Sequence, residues 1–253
     1  MTRILITGAA GMIGRALTLT LAERGGEVEV VVSDLRRPAD LPPQVRFETL
    51  DVTGADPMRV ITTVQPDVVV HLASIVTPAP EQGRDLAYRV DVTGTRHVID
   101  ACVANGVRRL VVTSSGAAYG YHPDNPVPLR ESDPLRGNAE FAYADHKRQV
   151  EEMLAEARRA APALEQVVLR VGTVLGAGTE NQITALFRKP RLLAVAGCDS
   201  PFVFIWTRDL ARIIERAATD GPAGIYNVAG DGALSVADLA RRMGKPLRVL
   251  PAW

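Results

Sequence analysis

Two periodicities alternate along the first two thirds of the chain. Short β-branched runs, nearly all apolar rather than alternating, recur at Arg3–Thr7, Val28–Ser33, Arg46–Leu50, Asp67–His71, Arg109–Ser114 and Gln166–Val171. Unbroken apolar strands are what a parallel sheet covered on both faces requires. Between them, Met12–Arg24, Pro57–Val64, Leu86–Asn105 and Glu140–Ala160 carry helix-like patterns. Gly25-Gly26 closes the first helix, Asn105-Gly106 closes the third, and Pro162 breaks the last. Strand–helix–strand alternation predicts an α/β fold, a doubly wound parallel sheet with right-handed crossovers.

From Thr173 the rhythm changes. Gly176, Gly178, Pro190, Gly197 and Pro201 interrupt short segments, and helices follow at Arg208–Ala218 and Ser235–Met243. The expected division is a sheet domain over 1–172 and a small C-terminal lobe over 173–253, interleaved with the end of the sheet. No internal repeat or low-complexity segment appears.

Composition narrows the classes. Apolar residues make up 47% of 253 residues and charged residues 23%, an ordinary globular balance. The 29 Lys+Arg cancel the 29 Asp+Glu, so no global field draws the chain to nucleic acid. No apolar run reaches the ~18 residues of a spanning helix, and no membrane role is expected. Cys102 and Cys198 are too few for a disulfide framework. Each sits among small apolar residues, which predicts buried, inert thiols. The opening MTRILITGAAGMIG runs into a glycine-spaced segment rather than a cleavage site, so a cytoplasmic location is expected.

That segment is the first candidate chemistry. Gly8, Gly11 and Gly14 follow a strand and open a helix, the context in which a three-glycine pattern is informative. Gly8 would permit the tight turn, Gly11 the approach of a pyrophosphate, and Gly14 close packing of helix on strand. Free N–H groups of Met12 and Ile13 at the helix start would face the anion. The 1–172 domain is therefore expected to bind a dinucleotide in the Rossmann manner. Asp34 ends the second strand, twenty residues past Gly14, where a carboxylate accepts ribose hydroxyls and repels a 2′-phosphate. NAD is thus favoured over NADP, although Arg36 and Arg37 close behind can grip a phosphate instead. Asp51-Val52 ends the third strand near the expected adenine. His71 and then Leu72, Ala73 and Ser74 end the fourth, at the edge where ligands collect. His71 itself lies in an apolar strand and reads better as a satisfied core histidine than as a base. No metal site is expected.

A second constellation follows. The fifth strand ends in Thr113-Ser114-Ser115, then Gly116-Ala117-Ala118-Tyr119-Gly120. Tyr143 and Lys147 are four apart on a helix and share one face. A phenol alone releases its proton near pH ~10, and a lysine ammonium one turn away favours the phenolate. With a serine hydroxyl to hold a substrate oxygen, these groups can move a proton on or off an alcohol while a nicotinamide exchanges hydride.

With these residues in place, the chain resembles the extended short-chain dehydrogenase/reductase family, the NAD-dependent epimerase/dehydratase group. The resemblance rests on TGAAGMIG at 7–14, Asp34, DV at 51, HLAS at 71, VTGT at 92–95, TSSGAAYG at 113–120, YADHK at 143–147, LRVGTVLG at 169–176 and YNVAG at 226–230. It implies a catalytic triad of Ser115, Tyr143 and Lys147, with Tyr143 as acid/base and Lys147 also on the nicotinamide ribose. The family's serine stands four residues before the tyrosine of the YG pair, here Tyr119, which selects Ser115 over Ser114. Ser74, Ser115, Gly116, Gly172 and Thr173 are the substrate-binding candidates.

The departures bear on substrate. Sugar-nucleotide members usually carry Pro-x-Asn after the arginine of the LR pair, where this chain has Val171-Gly172-Thr173. They also place a diphosphate-gripping arginine just before an FIHV-type strand. Here Asp199 to Trp206 holds no base, and Phe202, Phe204 and Trp206 form either an apolar substrate wall or one strand's buried face. Asp91 stands where the family commonly has asparagine. Extended members also run on past a helix like Ser235–Met243, so either the lobe is short or further residues follow Trp253.

The reading is an oxidoreductase exchanging hydride between NAD and an alcohol or carbonyl carbon of a small molecule. The alternative is a sugar-nucleotide epimerase or dehydratase that returns the hydride to its substrate. A non-catalytic dinucleotide sensor ranks third, since it needs no intact triad. The resemblance also implies a homodimer packed through Leu86–Asn105 and the Tyr143 helix, whose outer side is expected to carry Glu151, Glu152, Glu156, Arg158 and Arg159.

Overall fold

The computed structural model describes residues 1–77, 83–177, 179, 182–198 and 201–252. Gly178, Asp199, Ser200 and Trp253 lie outside the described residues. In chain order the strands are β1 (Thr2–Thr7), β2 (Val28–Asp34), β3 (Arg46–Thr49), β4 (Val68–His71), β5 (Arg109–Ser115), β6 (Glu165–Val171), β7 (Thr173–Leu175), β8 (Leu192–Val195), β9 (Phe204–Trp206), β10 (Gly224–Val228) and β11 (Leu247–Leu250). The helices are α1 (Met12–Ala22), α2 (Asp56–Val64), α3 (Gly83–Tyr88), α4 (Gly94–Ala104), α5 (Ala142–Ala160), α6 (Gln182–Arg188), α7 (Thr207–Ala218) and α8 (Val236–Arg242).

Among the described residues, seven strands form one parallel sheet in the order β10-β6-β5-β4-β1-β2-β3. Alternate side chains of each strand enter opposite layers. Leu5, Val31, Val69, Leu110 and Val168 meet Val60 and Ile61 of α2, Val98 and Ile99 of α4, and Val150 and Leu154 of α5. Ile4, Ile6, Val32, Val70, Val111 and Leu169 meet Leu17 and Leu21 of α1 and Leu210 and Ile214 of α7. Each such side chain contributes about 1.5–3 kcal/mol on burial, so two-sided burial is the reason the strands are apolar throughout. The order reverses between β1 and β4, which opens a crevice at the carboxyl edge, beside the end of β1.

Past residue 172 the chain feeds both parts. β10 forms one end of the main sheet, and α7 packs against α1. The remaining segments make short parallel pairs, β7 with β9 and β8 with β11. A small core of Leu192, Leu239 and Ala240 gathers Phe187, Phe202, Phe204, Leu234 and Val236. Ser235 starts α8 through a capping box with Asp238.

Three expectations are corrected. The helix expected over Leu86–Asn105 is α3 and α4 joined through a π-helical turn, Arg89–Thr93. Cys198 is exposed, in the segment just past β8 where Gly197 takes φ +74°; Cys102 is buried, which pushes its thiol pKa far up. Glu151 is not on the outer side of α5. It sits one turn past Lys147 on the inward face and is buried, whereas Glu152, Glu156 and Arg159 are exposed.

Candidate active site

The turn from β1 into α1 is built to admit something at its backbone. Gly8 has φ +74°, and a Cβ there would lie 2.5 Å from the Ala73 nitrogen. A Cβ on Gly14 would lie 2.4 Å from the Gly8 oxygen, so the helix can approach the strand only with glycine at this position. Gly11 is the N-cap of α1; no side chain caps the helix and its first turn holds no acid. Gly11 N itself donates to Gly8 O at 3.2 Å, and the N–H groups of the first helical turn that follow, beginning at exposed Met12, are offered to an anion. From the small lobe, Thr179 Oγ1 reaches Met12 Sδ at 3.0 Å and Thr207 Oγ1 reaches it at 3.7 Å. Sequence reasoning missed both threonines, since nothing local ties residues 179 and 207 to residue 12.

Asp34 closes one side of this cradle. Its Oδ2 accepts from Ala10 N at 2.9 Å and its Oδ1 from Leu35 N at 2.7 Å, which fixes the carboxylate and leaves each oxygen a further lone pair. Arg36 is exposed, and Arg37 is exposed with its guanidinium 5.9 Å from the Phe47 ring centroid. Asp51 is exposed and its Oδ1 accepts from Thr53 N and Oγ1 at 2.8 Å, while Val52 is buried against Gly94. On the far side of β1, Leu72 N donates to Thr7 O at 3.1 Å and the Ala73 backbone abuts Gly8. Ser74 Oγ is buried with no hydrogen-bond partner among the described residues. A glycine cradle that a Cβ would fill, an uncapped helix start, a fixed carboxylate and an orphaned buried hydroxyl together fit a dinucleotide laid across the crevice.

At the end of β5 the two serines differ. Ser114 Oγ is buried and donates to Glu151 Oε1 at 2.5 Å. Ser115 Oγ is half-buried, accepts from Ala117 N at 3.1 Å and points to Val171 O at 3.5 Å. Gly116 has ample room at its Cα, its nearest neighbour being Val171 O. Lys147 is buried and donates to Thr113 O at 3.1 Å, with its ammonium 5.5 Å from the Tyr143 ring centroid. Tyr143 is half-buried and adjoins Phe141 at 6.2 Å between ring centres, which in turn adjoins Tyr121 at 5.9 Å. Tyr121 is 69% exposed and Phe141 40%. Gly172 and Thr173 hold the neighbouring strand end through Gly172 N to Val228 O and Thr173 N to Val203 O, each 2.9 Å. A Cβ on Gly172 would meet Val203 Cγ2 at 3.0 Å, so Val203, 41% exposed and just before β9, borders Gly172 closely. Phe202 and Phe204, both half-buried, stack at 5.8 Å against the small lobe's core and also line an open cavity with Asp231, Leu234 and Arg242.

Behind the serines lies a buried polar lattice. Arg170 donates to both Glu151 oxygens, Nη2 to Oε2 at 2.7 Å, and Nη1 reaches Tyr119 Oη at 2.7 Å. Tyr119 Oη donates to Asn227 Oδ1 at 2.7 Å. The lattice ties β5, α5, β6 and β10 together under the candidate site.

His71 is enclosed rather than available. Its Nδ1 pairs with Thr7 Oγ1 at 2.7 Å and its Nε2 with Thr95 Oγ1 at 3.0 Å. Burial, then the Lys147 charge, pull its pKa from 6.5 to about 3, with Asp91 opposing. The folded state therefore binds fewer protons than the unfolded one between those values. The His71 contribution to stability is full above pH ~6.5 and falls by about 1.4 kcal/mol per unit as the medium is acidified. Urea unfolding of His71→Gln should show a shallower loss between about pH 6.5 and pH 4.5 than the wild-type chain. Parallel pH profiles would remove His71 as the group responsible.

A doubly wound parallel sheet with a glycine cradle at its switch point and a polar site at the end of β5 defines a dinucleotide-binding α/β protein of the Rossmann type. Residues 4–229 match the NAD dependent epimerase/dehydratase family, and the chain belongs to that family. An uncharacterized protein of Mycobacterium bovis is 27% identical over 248 residues, 96% of this chain and 66% of that protein. A Streptomyces protein, 3-diazoavenalumate denitrifying reductase, is 33% identical over 181 residues, 70% of this chain and 58% of its own length. The chain thus spans less than two thirds of either relative. Among solved structures, the UDP-glucose 4-epimerase of Thermus thermophilus in complex with NAD superposes with a TM-score of 0.79 at 26% identity, covering 99% of this chain and 86% of that one.

Proposed function

We propose that the chain is an NAD-dependent oxidoreductase that exchanges hydride with an alcohol or carbonyl carbon of a small molecule. The observation that carries this reading is the division of labour at the end of β5. Ser114 is tied to Glu151, Ser115 stays available at the cleft, and Lys147 is held on Thr113 O beside Tyr143. Residues 1–172 are assigned to the dinucleotide and residues 173–253 to the substrate side, with Gly172, Thr173 and Gly116 lining the approach.

Bound NAD supplies the hydride acceptor in one direction and its reduced form the donor in the other. Gly8, Gly11, Met12, Ile13 and Gly14 would hold the pyrophosphate. Asp34, with Arg36 at its edge, would hold the adenosine ribose, Asp51 and Val52 the adenine side, and Leu72, Ala73 and Ser74 the nicotinamide side. In the reductive direction Tyr143 gives its phenolic proton to the carbonyl oxygen as that oxygen gains charge. Ser115 Oγ donates a hydrogen bond to the same oxygen, and the Lys147 ammonium steadies the phenolate that is left. Exposed Tyr121 and Phe141 beside Tyr143, and Val203 beside Gly172, favour a small, flat or apolar substrate. The Streptomyces relative, by its name a reductase, is in keeping with net hydride transfer.

A second reading is a sugar-nucleotide epimerase, favoured by the likeness to the Thermus UDP-glucose 4-epimerase along 99% of this chain. Native mass spectrometry of the freshly purified protein separates the two. A dehydrogenase must release altered cofactor each turnover and is expected to emerge mostly empty, then to consume NADH with small aldehydes or ketones. Stoichiometric NAD retained through purification, with no net NADH change on carbonyls, would give the epimerase reading the field.

The same reading includes a homodimer through α3, α4 and α5, supported by exposed Tyr88 and Val103 on the first two. No helix among the described residues is long and apolar enough to cross a membrane. Two cysteines outside any disulfide accord with a reducing compartment, the cytoplasm.

A further inference from the structure

Asp91 is the family position at which this chain departs from asparagine, and the structure shows what the carboxylate touches. Its side chain is 0% exposed. Oδ1 accepts from Ile75 N at 2.8 Å, and Oδ2 lies 3.2 Å from His146 Nδ1. The π-helical turn carrying Asp91 aims this side chain between two elements: the segment after β4, which holds Ser74, and α5. His146 is buried, edge-on to Tyr88 at 5.5 Å, one position from Lys147 and three from Tyr143. Any tilt of the first turns of α5 therefore moves both candidate catalytic side chains. The Asp91 backbone oxygen also accepts from Thr95 Oγ1 at 2.6 Å, the hydroxyl that holds His71. The groups within hydrogen-bonding reach of the Asp91 carboxyl are thus the Ile75 N–H and the His146 ring.

We propose that Asp91 and His146 form a brace that sets the nicotinamide half of the dinucleotide site, by locking the Ser74–Ile75 segment to the α5 turn that carries Tyr143 and Lys147. This rests on the dinucleotide reading above. The adenosine half is assigned to Asp34 on the β2 side of β1, so the other nucleoside must lie on the β4–β5 side, where the brace is. Asp91 and His146 are positioning residues. They act on the cofactor through Ser74, Tyr143 and Lys147.

The consequence is a split between two ligands. NADH spans both halves of the crevice, whereas ADP occupies only the adenosine and pyrophosphate half. In fluorescence titration of NADH and calorimetric titration of ADP, Asp91→Ala and His146→Ala should each weaken NADH about tenfold and leave ADP within about twofold, the scale of one lost charge-assisted hydrogen bond. The double variant should be no worse than the weaker single one. Asp91→Asn and His146→Asn should restore NADH affinity, because each amide still spans the gap with one donor and one acceptor. A chain loosened only in general would lose both ligands together. Equal losses for NADH and ADP, unchanged NADH affinity in His146→Ala, or additive losses in the double variant would overturn the brace. A wild-type chain that binds ADP but not NADH would overturn the dinucleotide reading itself, and the brace with it.

Discussion

Replacing Tyr143 with phenylalanine is expected to lower turnover about 10²–10⁴-fold, the range supplied by one positioned acid/base. NADH affinity should stay within about twofold, since the ring is kept and the hydroxyl that is lost is the group proposed to act on the substrate oxygen. Phe141 already packs beside this ring, so a phenylalanine at 143 meets no new polar neighbour. Lys147 keeps its bond to Thr113 O in the variant, which leaves its ammonium in place. The check is a steady-state assay of net NADH change alongside an NADH titration. The two serines provide a contrast in the same assay. Ser115→Ala removes the hydroxyl proposed to face the substrate, and should cost about 10²–10³-fold in turnover, with a stability loss limited to about 1 kcal/mol from its cap on Ala117 N. Ser114→Ala removes a buried bond to Glu151 and should instead lower stability. A wild-type rate in Tyr143→Phe would end its candidacy as the acid/base.

The largest expected loss of stability comes from Arg170→Met. Arg170 and Glu151 are both 4% exposed and share a bidentate bridge. Removing the cation leaves a carboxylate in the interior with the Ser114 hydroxyl as its donor, at a cost of about 3–5 kcal/mol. The double variant Arg170→Met with Glu151→Leu should recover most of that loss, because no uncompensated charge is then buried. Urea unfolding of the two singles and the double measures this directly. A single-variant loss below about 1 kcal/mol would mean that water reaches the site, contrary to its burial.

The sheet was largely legible from its strands. β-branched runs with apolar residues on both faces can settle only in a covered parallel sheet, and β1 to β6 fall within a residue or two of the runs that predicted them. The small lobe was not, because β7 and β9 are only three residues long, too short to show any period. β10 was missed as a strand for a related reason: Gly224, Ile225, Tyr226 and Asn227 alternate in neither sense. The glycine cradle could be read because steric exclusion acts on the glycines themselves. What could not be read were partners distant in sequence. Met12 gives no hint of Thr179, and Asp91 gives none of His146, because side-chain pairs across 55 or more positions leave no local period. Glu151 shows the opposite error, where the charge suggested an outer face and the four-residue spacing from Lys147 indicated the inner one.

The stretch that enters β9 has two faces, since Val203 borders Gly172 while Phe202 and Phe204 stack against the lobe's core and line the cavity beside Leu234 and Arg242. That separation matters for how the fold can be diversified. If the proposed substrate approach runs past Gly172, substitutions at Val203 would resize it while leaving the lobe's own core in place. The phenylalanines carry a double constraint, since a change there alters both the lobe's core and the cavity beside it. A mutational library meant to retarget the chain therefore has its least costly position in this stretch at Val203, between two residues whose replacement would also loosen the lobe.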